Sequence, residues 1–369
     1  MGSNGHRPLT TPAAFAALAR RLLCCPTAPY HEHAVRDEAE RICEQHGLER
    51  RRDAFGNLVV RLSTSRKQRP LVLAAHLDHP GFEIVRELGP RRWLARFRGG
   101  VPDAFFRKGT ALRLMPGGIP ARLGPRRKSA QREFEVYADS TGALAPRFAV
   151  WDLPDFALQS GRIVARACDD LVGAAAVLAT LIELKRTRAR VDVIGVLSRA
   201  EEVGFHGALA LAAAGTLPKD SLVVSLETSR EVPAVKMGQG VILRVGDRAS
   251  VFDSAATRFL AEVAGALSAS GVFSFQRALM GGGTCEATAY QEFGYRSAAV
   301  CIALGNYHNC GPGDRIRAEY VSLADACGMV RLLMAASRQM RCYEKLVGRL
   351  PARLGKLLRD ANRLLPKTA

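Results

Sequence analysis

The sequence lacks several patterns that assign a chain to common protein classes. No run approaches the ~18 apolar residues of a membrane-spanning helix, so no membrane span is expected. None of the nine cysteines lies in a Cys-x-x-Cys pair, which excludes the zinc-finger and zinc-ribbon patterns. The N-terminus has no apolar core followed by a cleavage signature, so we expect a cytoplasmic, soluble protein with free thiols.

Acidic residues are scarce relative to basic ones. The 369 residues include 35 Asp and Glu against 53 Lys and Arg, which gives a formal net charge of +18. Such an excess is typical of chains that bind nucleic acid or anionic membranes, but the Ala- and Arg-rich composition is also what a GC-biased genome produces. Hydrophobic and charged fractions of 48% and 24% indicate a globular chain and exclude disorder and collagen-like repeats.

Apolar runs typical of buried strands alternate with helical patterns over most of the sequence. Residues 71–75, 191–198, 222–226 and 298–304 are apolar runs of strand length, and a long helical pattern follows Asp169-Asp170. Because strands that alternate with helices form largely parallel sheets, the sequence predicts an α/β fold. We expect a mixed, mostly parallel sheet with helices on both faces.

A different pattern interrupts this alternation. Residues 91–162 contain short β-like runs separated by Gly and Pro and show no helical period, which predicts a small β-rich domain inserted into another domain. The main domain is then discontinuous, over residues 1–90 and 163–345. Residues 346–369 carry leucines between basic residues at helical spacing. This predicts a C-terminal helix that packs on the body or a second subunit, or docks on anionic lipid or RNA.

Side chains that bind divalent metals follow four of the predicted strands. The residues that follow predicted strands are, in chain order, His76 with Asp78, Glu201 with Glu202, Glu227, and His308. One further acid, Asp169, lies where an extended run meets a helix. Each motif alone has a structural explanation, such as a helix N-cap for the paired aspartates. Together they lie where an α/β sheet binds ligands, at the carboxyl ends of its strands. Such a set suits two divalent ions, for example zinc, cobalt or manganese.

Six segments resemble, in their order, the motifs of the glutamyl/leucyl aminopeptidase family, which forms the tetrahedral aminopeptidases of the co-catalytic zinc exopeptidase clan. They are AHLDHPGF, ACDDLVGAA, EEVGFHGA, SLETS, GGGTCEA and NYHN, and the resemblance extends over about residues 12–340. It implies a cytoplasmic di-metal aminopeptidase that removes N-terminal residues from peptides. It also implies two divalent ions per chain, zinc foremost, and a homo-oligomer assembled through the inserted domain.

The resemblance assigns roles to seven residues of this chain. Five are implied as metal ligands: His76 and Glu227 for one ion, Glu202 and His308 for the other, and Asp169 as the bridge. Two are implied as catalytic: Glu201 as general base and Asp78 as the carboxylate that orients His76.

The sequence also departs from the family pattern. His79-Pro80 follows the His-x-Asp motif where an acidic and an apolar residue are common, and Leu171 stands where an arginine is usual. Glu227 replaces a frequent aspartate, and Cys285-Glu286 changes a Gly-Thr-Asp-Ala-like motif. None of these changes removes an implied ligand, so they bear on substrate preference and assembly.

Two alternative functions remain at this stage. One is an amidase or deacylase of the same metallohydrolase clan, because the same ions would serve and only the pocket would differ. The other is a non-catalytic, basic nucleic-acid-binding protein on this fold, which the charge of +18 favours and the intact ligand set opposes.

Overall fold

The computed structural model describes residues 7–65, 68–129, 131–140, 142 and 144–367. Within them lie nine α-helices: α1 Pro12–Leu23, α2 His33–Gln45, α3 Cys168–Arg186, α4 His206–Ala213, α5 Ser254–Ser268, α6 Glu286–Glu292, α7 Leu323–Gln339, α8 Tyr343–Val347 and α9 Arg349–Leu364. Among these residues, every helix is too short or too polar to span a bilayer.

The strands form a large sheet, a closed barrel and a two-stranded ribbon. The large sheet contains β1 Glu49–Arg52, β2 Leu58–Ser63, β3 Leu71–His76, β10 Ala157–Gln159, β11 Arg162–Ala165, β12 Asp192–Ser198, β13 Leu222–Arg230, β14 Val241–Gly246, β15 Phe275–Leu279, β16 Arg296–Gly305 and β19 Glu319–Ser322. The barrel contains β4 Gly81–Gly89, β5 Arg92–Arg98, β6 Ala111–Met115, β7 Ile119–Arg126, β8 Glu133–Ala138 and β9 Phe148–Trp151. The ribbon contains β17 Cys310–Gly311 and β18 Arg315–Ile316.

The large sheet is mixed, and its central strands are parallel. Its order is β1-β2-β12-β3-β13-β16-β19-β11-β10, with β14 and β15 branching from β16. The neighbours β12, β3, β13 and β16 run parallel, whereas β2 and β19 flank them antiparallel. The carboxyl ends of the four central strands therefore meet at one edge of the sheet.

Helices cover both faces of this sheet. Along β3, Leu71 and Leu73 pack into the core shared with α1, α3 and α7, while Val72 and Ala74 face α4. This alternation follows from the two-residue period of a strand, and it explains why the whole run is apolar. The predicted α/β fold with an inserted β-rich domain is confirmed.

The barrel begins and ends earlier than the β-rich segment that the sequence predicted. Its strands run from Gly81 to Trp151 and close in the order β4-β5-β8-β7-β6-β9 around an aromatic core that includes Phe82 and Phe134. The end of the predicted segment, residues 157–162, lies in β10 and the start of β11, which pair in the large sheet instead. The early start arises because β4 begins directly after the His-x-Asp motif, with no intervening segment.

Candidate metal centre

The parallel strands bring the predicted ligands to one edge of the sheet. His76 is the last residue of β3, and Glu201 and Glu202 follow β12 by three and four residues. Glu227 lies within β13, which continues to Arg230 rather than ending at residue 226 as predicted. His308 lies in a short 3-10 turn just after β16.

Asp169 lies between the two histidines. Its Oδ1 is 3.7 Å from His76 Nε2, and its Oδ2 is 3.6 Å from His308 Nε2. On the second side, His308 Nε2 is also 3.2 Å from Glu202 Oε1. One carboxylate thus faces an imidazole with each of its oxygens, which is the arrangement a bridging ligand requires.

Three groups of side chains have ligand atoms close enough to hold one ion. In each group the atoms lie within 4.8 Å of one another: His76 with Asp169 and Glu227, Asp169 with Glu202 and His308, and His76 with Glu201 and Glu202. The first two groups share Asp169 and match the ligand sets implied by the sequence. The third shows that Glu201 is also near enough to be a ligand, so distance alone does not separate a ligand from a base here.

The buried oxygens of this cluster fit a cation. Glu227 Oε1 is buried and accepts no hydrogen bond within the described residues, and the buried Glu202 Oε1 has the His308 imidazole 3.2 Å away. A buried carboxylate oxygen without a partner costs free energy, which a bound cation removes. Carboxylate and imidazole ligands together suit zinc, cobalt or manganese.

The paired aspartates divide two tasks between them. Asp169 and Asp170 have non-helical backbone angles, and the peptide bond between them is cis. Asp170 accepts a hydrogen bond from the backbone N–H of Gly173 (3.2 Å) and so caps the first turn of α3. Asp169 instead turns its side chain to the histidines, and its Oδ1 accepts a hydrogen bond from Thr228 (2.9 Å).

Asp78 holds the neighbouring loop more directly than it orients His76. The backbone N–H groups of Glu201 and Glu202 donate to its Oδ1 and Oδ2, at 2.9 and 3.1 Å. His76 Nδ1 is 3.1 Å from the backbone carbonyl of Asp78 and 3.7 Å from its carboxylate. The carbonyl, rather than the predicted carboxylate, is therefore the nearer acceptor for His76.

Two further residues support the site and were not found from the sequence. Glu319 is fully buried in β19 and accepts hydrogen bonds from the backbone N–H groups of Asp169 (3.1 Å) and His308 (2.8 Å). His79 was noted in the sequence only as a departure from the family pattern. Its Nδ1 lies 2.9 Å from the backbone carbonyl oxygen of Asp169, and its Nε2 lies 2.9 Å from Asn309 Oδ1. Glu319 belongs to no motif, and its only sequence signal is an acid in a short strand.

Burial and crowding of carboxylates shift the pKa values across the site. Burial and the nearby carboxylates raise the pKa of Glu227 to about 8 and that of Glu201 well above its usual value. Burial lowers the pKa of His76, but Glu201 and Asp169 outweigh it and raise that pKa overall. Burial opposes ionisation of Asp169, yet the two histidines that face its carboxylate bring its pKa below normal. Carboxylates outnumber histidines here, and a bound divalent ion would favour the ionised form of each carboxylate.

A cavity of about 240 Å³ opens onto the cluster. Its lining includes four of the five candidate ligands, Glu202 being the exception, together with the β13 residues 228–230, the loop residues 282–284, Tyr307 and Arg244. Arg244 is buried, and its Nη1 donates to Ser229 Oγ (3.4 Å). Cys168 and Cys285 are buried and do not line this cavity.

The chain was compared with known families and structures. The M42 glutamyl aminopeptidase family model matches residues 138–317, a span that contains Asp169, Glu201, Glu202, Glu227 and His308. No curated protein sequence matches closely enough to count as a relative. The resemblance inferred from the sequence motifs is thereby confirmed.

Solved structures share the fold. A TET1 peptidase from Pyrococcus horikoshii has a TM-score of 0.73 at 21% identity, covering 88% of this chain and 99% of its own. A TET aminopeptidase from a marine-sediment archaeon of the Thaumarchaeota has a TM-score of 0.74 at 20% identity, covering 90% and 99%. An aminopeptidase from Desulfurococcus kamchatkensis has a TM-score of 0.72 at 20% identity, covering 91% and 98%.

These findings define the class of protein: a hydrolase that acts on peptide bonds, carried on a mixed α/β fold with an inserted β-barrel. Within that class, the chain is related to the M42 glutamyl aminopeptidase family.

Proposed function

We propose that this protein is a di-metal aminopeptidase that removes N-terminal residues from peptides in the cytoplasm. The observation that carries the proposal is Asp169, whose two oxygens face His76 and His308 inside a cavity. A single metal site has no need of a carboxylate shared between two histidines. The match to an aminopeptidase family supports the same conclusion.

The two ions have separate ligands on this proposal. One is held by His76 and Glu227, the other by Glu202 and His308, and Asp169 is common to both. Zinc is the first candidate, with cobalt and manganese as alternatives. When bound, such a pair supplies Lewis acidity for a carbonyl oxygen and acidifies water.

Glu201 is the proposed general base. It lines the cavity, and its Oε2 is 3.9 Å from His76 Nε2. Its backbone is held by the carboxylate of Asp78, so the side chain is presented from a fixed loop. The raised pKa of Glu201 favours uptake of a proton from the attacking water, and Glu201 then donates that proton to the leaving amine. Asp78 acts through this loop and through His76.

Glu231 is the proposed contact for a free substrate N-terminus. It lines the cavity and is not a candidate metal ligand, so its carboxylate can accept a hydrogen bond from a substrate ammonium group. An N-acylated substrate lacks that ammonium group, which is why an aminopeptidase is favoured over an amidase or deacylase.

Assembly is the proposed role of the barrel, as a domain inserted into a discontinuous catalytic domain. We expect a homo-oligomer, because the Pyrococcus horikoshii peptidase that shares the fold can assemble into a tetrahedron or a large octahedral shell. Light scattering of the whole protein, and of a variant with Gly81–Trp151 replaced by a short Gly-Ser linker, tests this role. A strictly monomeric full-length protein, or a deletion variant of unchanged size class, would contradict it.

The catalytic proposal is tested by metal analysis followed by a panel of aminoacyl-p-nitroanilides, each assayed with and without an N-acetyl group. We expect two ions per chain and turnover of the free aminoacyl substrates only. Preferential cleavage of the acetylated compounds would support the deacylase alternative. RNA binding without any turnover would support the non-catalytic one.

A further inference from the structure

The C-terminal helix α9, Arg349–Leu364, has two chemically distinct faces. At 100° per residue, its leucines fall within one arc: Leu350, Leu354, Leu357, Leu358 and Leu364. Its basic residues fall on the other side: Arg349, Arg353, Lys356, Arg359 and Arg363. The helix has one acidic residue, Asp360, which pairs with Arg363 within the helix (3.0 Å).

The helix is attached to the body near its first turn. Arg349 forms an ion pair with Glu262 of α5 (2.6 Å), and Arg258 of the same helix donates to the backbone carbonyl of Val347 (3.0 Å). Leu346 and Tyr343 of α8 are buried against the body. These contacts hold the start of α9 in place.

Beyond this attachment the leucine face is open to solvent. No residue of α9 is buried, and Leu354, Leu357 and Leu358 are 51%, 57% and 60% exposed. Three large apolar side chains grouped on one exposed face of a helix form a patch that is typical of a binding surface. Within the described residues, the body of this chain does not cover that patch.

The basic residues of α9 indicate which class of partner fits both faces of the helix. RNA would engage the arginines and leave the leucines in water. A second copy of α9 packed on the leucine face would leave the basic residues on the outer side of the pair without a partner. An anionic bilayer accepts both faces at once, because leucines enter the boundary between headgroups and acyl chains while Arg and Lys contact the headgroup phosphates.

We propose that α9 is a docking surface for an anionic lipid membrane, lying in the plane of the interface with its leucine face inward. The net charge of +18 adds long-range attraction to the same surface. The attachment through Arg349 and Glu262 then fixes the body of the enzyme beside the bilayer. This docking is independent of the catalytic proposal, since α9 contributes no residue to the metal centre or its cavity.

Vesicle flotation of the full-length protein tests the proposal, with phosphatidylcholine vesicles compared with vesicles that also contain phosphatidylglycerol. The leucine variant is L354S/L357S/L358S, and the charge variant is R353Q/K356Q/R359Q/R363Q. A matched control removes four exposed basic residues of the barrel: R86Q/K108Q/R122Q/K128Q. Circular dichroism shows whether each variant remains folded.

We expect flotation only with anionic vesicles, weakened by salt. The leucine and charge variants should each lose at least about tenfold in bound fraction, because both faces contribute to binding. The barrel control should stay within about twofold of the unsubstituted protein, since its charges lie on another surface.

Four results would overturn the proposal. These are no flotation with anionic vesicles, flotation unaffected by the leucine substitutions, an equal loss in the barrel control, or RNA gel shifts without vesicle binding. If the leucine variant instead changes the particle size in light scattering and no form floats, α9 is a subunit interface and the membrane proposal is wrong.

Discussion

Replacing Glu201 and Glu202 separately by Gln distinguishes a base from a ligand with the same chemical change at adjacent positions. Both backbone amides are held by the carboxylate of Asp78, and neither substitution alters those hydrogen bonds. The loop should therefore keep its position in both variants. Any difference between the variants then arises from the side chains.

We expect Glu201→Gln to retain both ions and to lose turnover. General acid–base catalysis contributes about 10²–10⁴-fold, so the barrier should rise by about 3–5 kcal/mol. Glu202→Gln should release one ion, because Glu202 Oε1 is buried and lies 3.2 Å from His308 Nε2. Even a residue behind a ligand costs about 10–100-fold in metal affinity when replaced, and loss of the ligand itself should cost more.

Metal content by atomic emission and kcat on an aminoacyl-p-nitroanilide, measured on the same preparations, decide between the roles. If Glu201→Gln loses metal as Glu202→Gln does, Glu201 is a ligand and the base lies elsewhere. Near-normal kcat in a metal-replete Glu201→Gln variant would refute the assignment as base.

Three further predictions concern the shared ligand, its support and the barrel. Chelation should remove two ions together with activity. Asp169→Asn should weaken metal binding at both sites, whereas His308→Ala should weaken it mainly at one. Metal titration checks these expectations, and a stoichiometry of one ion per chain would contradict them. Glu319→Gln should lower the free energy of unfolding in urea by about 1.5–3 kcal/mol. The reason is that a glutamine amide has one acceptor oxygen, whereas Glu319 accepts from two backbone N–H groups with two oxygens. An unchanged unfolding midpoint would contradict this prediction. Trp151→Ala should lower the free energy of unfolding by about 3–5 kcal/mol, since Trp151 is 1% exposed and its ring centroid lies 4.9 Å from that of Phe82. A loss below about 1 kcal/mol would be too small for a core residue and would contradict this prediction.

The positions of four candidate ligands were predictable because each follows or interrupts an apolar strand, whereas Asp169 lies at the start of a helix. The run 71–75 is apolar throughout since both faces of β3 are covered, and a polar side chain directly after it must lie at the edge of the sheet. The same argument applies to Glu227 and His308. Parallel neighbours then bring these edges together without any knowledge of the loops.

The supporting contacts were not predictable in the same way. Asp78 binds backbone N–H groups, and a backbone amide leaves no trace in the sequence. Glu319 lies in a strand of four residues whose place beside β16 depends on a long-range pairing. The bounds of the barrel were misplaced for a related reason, since residues 157–165 are short strand segments whose sheet is chosen by their partners.

Charge links the site to the rest of the molecule. The chain carries a net charge of +18, yet Asp169, Glu201, Glu202 and Glu227 share one sheet edge with two histidines. Burial first, and then neighbouring carboxylates, disfavour the ionised forms of Glu201 and Glu227 and raise their pKa values. On the di-metal proposal, bound cations would offset that cost, so their binding energy would also stabilise the folded arrangement of this edge. Beyond Asp169 and His76, α3 and β3 pack mainly through apolar side chains, and that packing needs no cation. Stability of the core and metal binding thus depend on different residues of the same helix and strand.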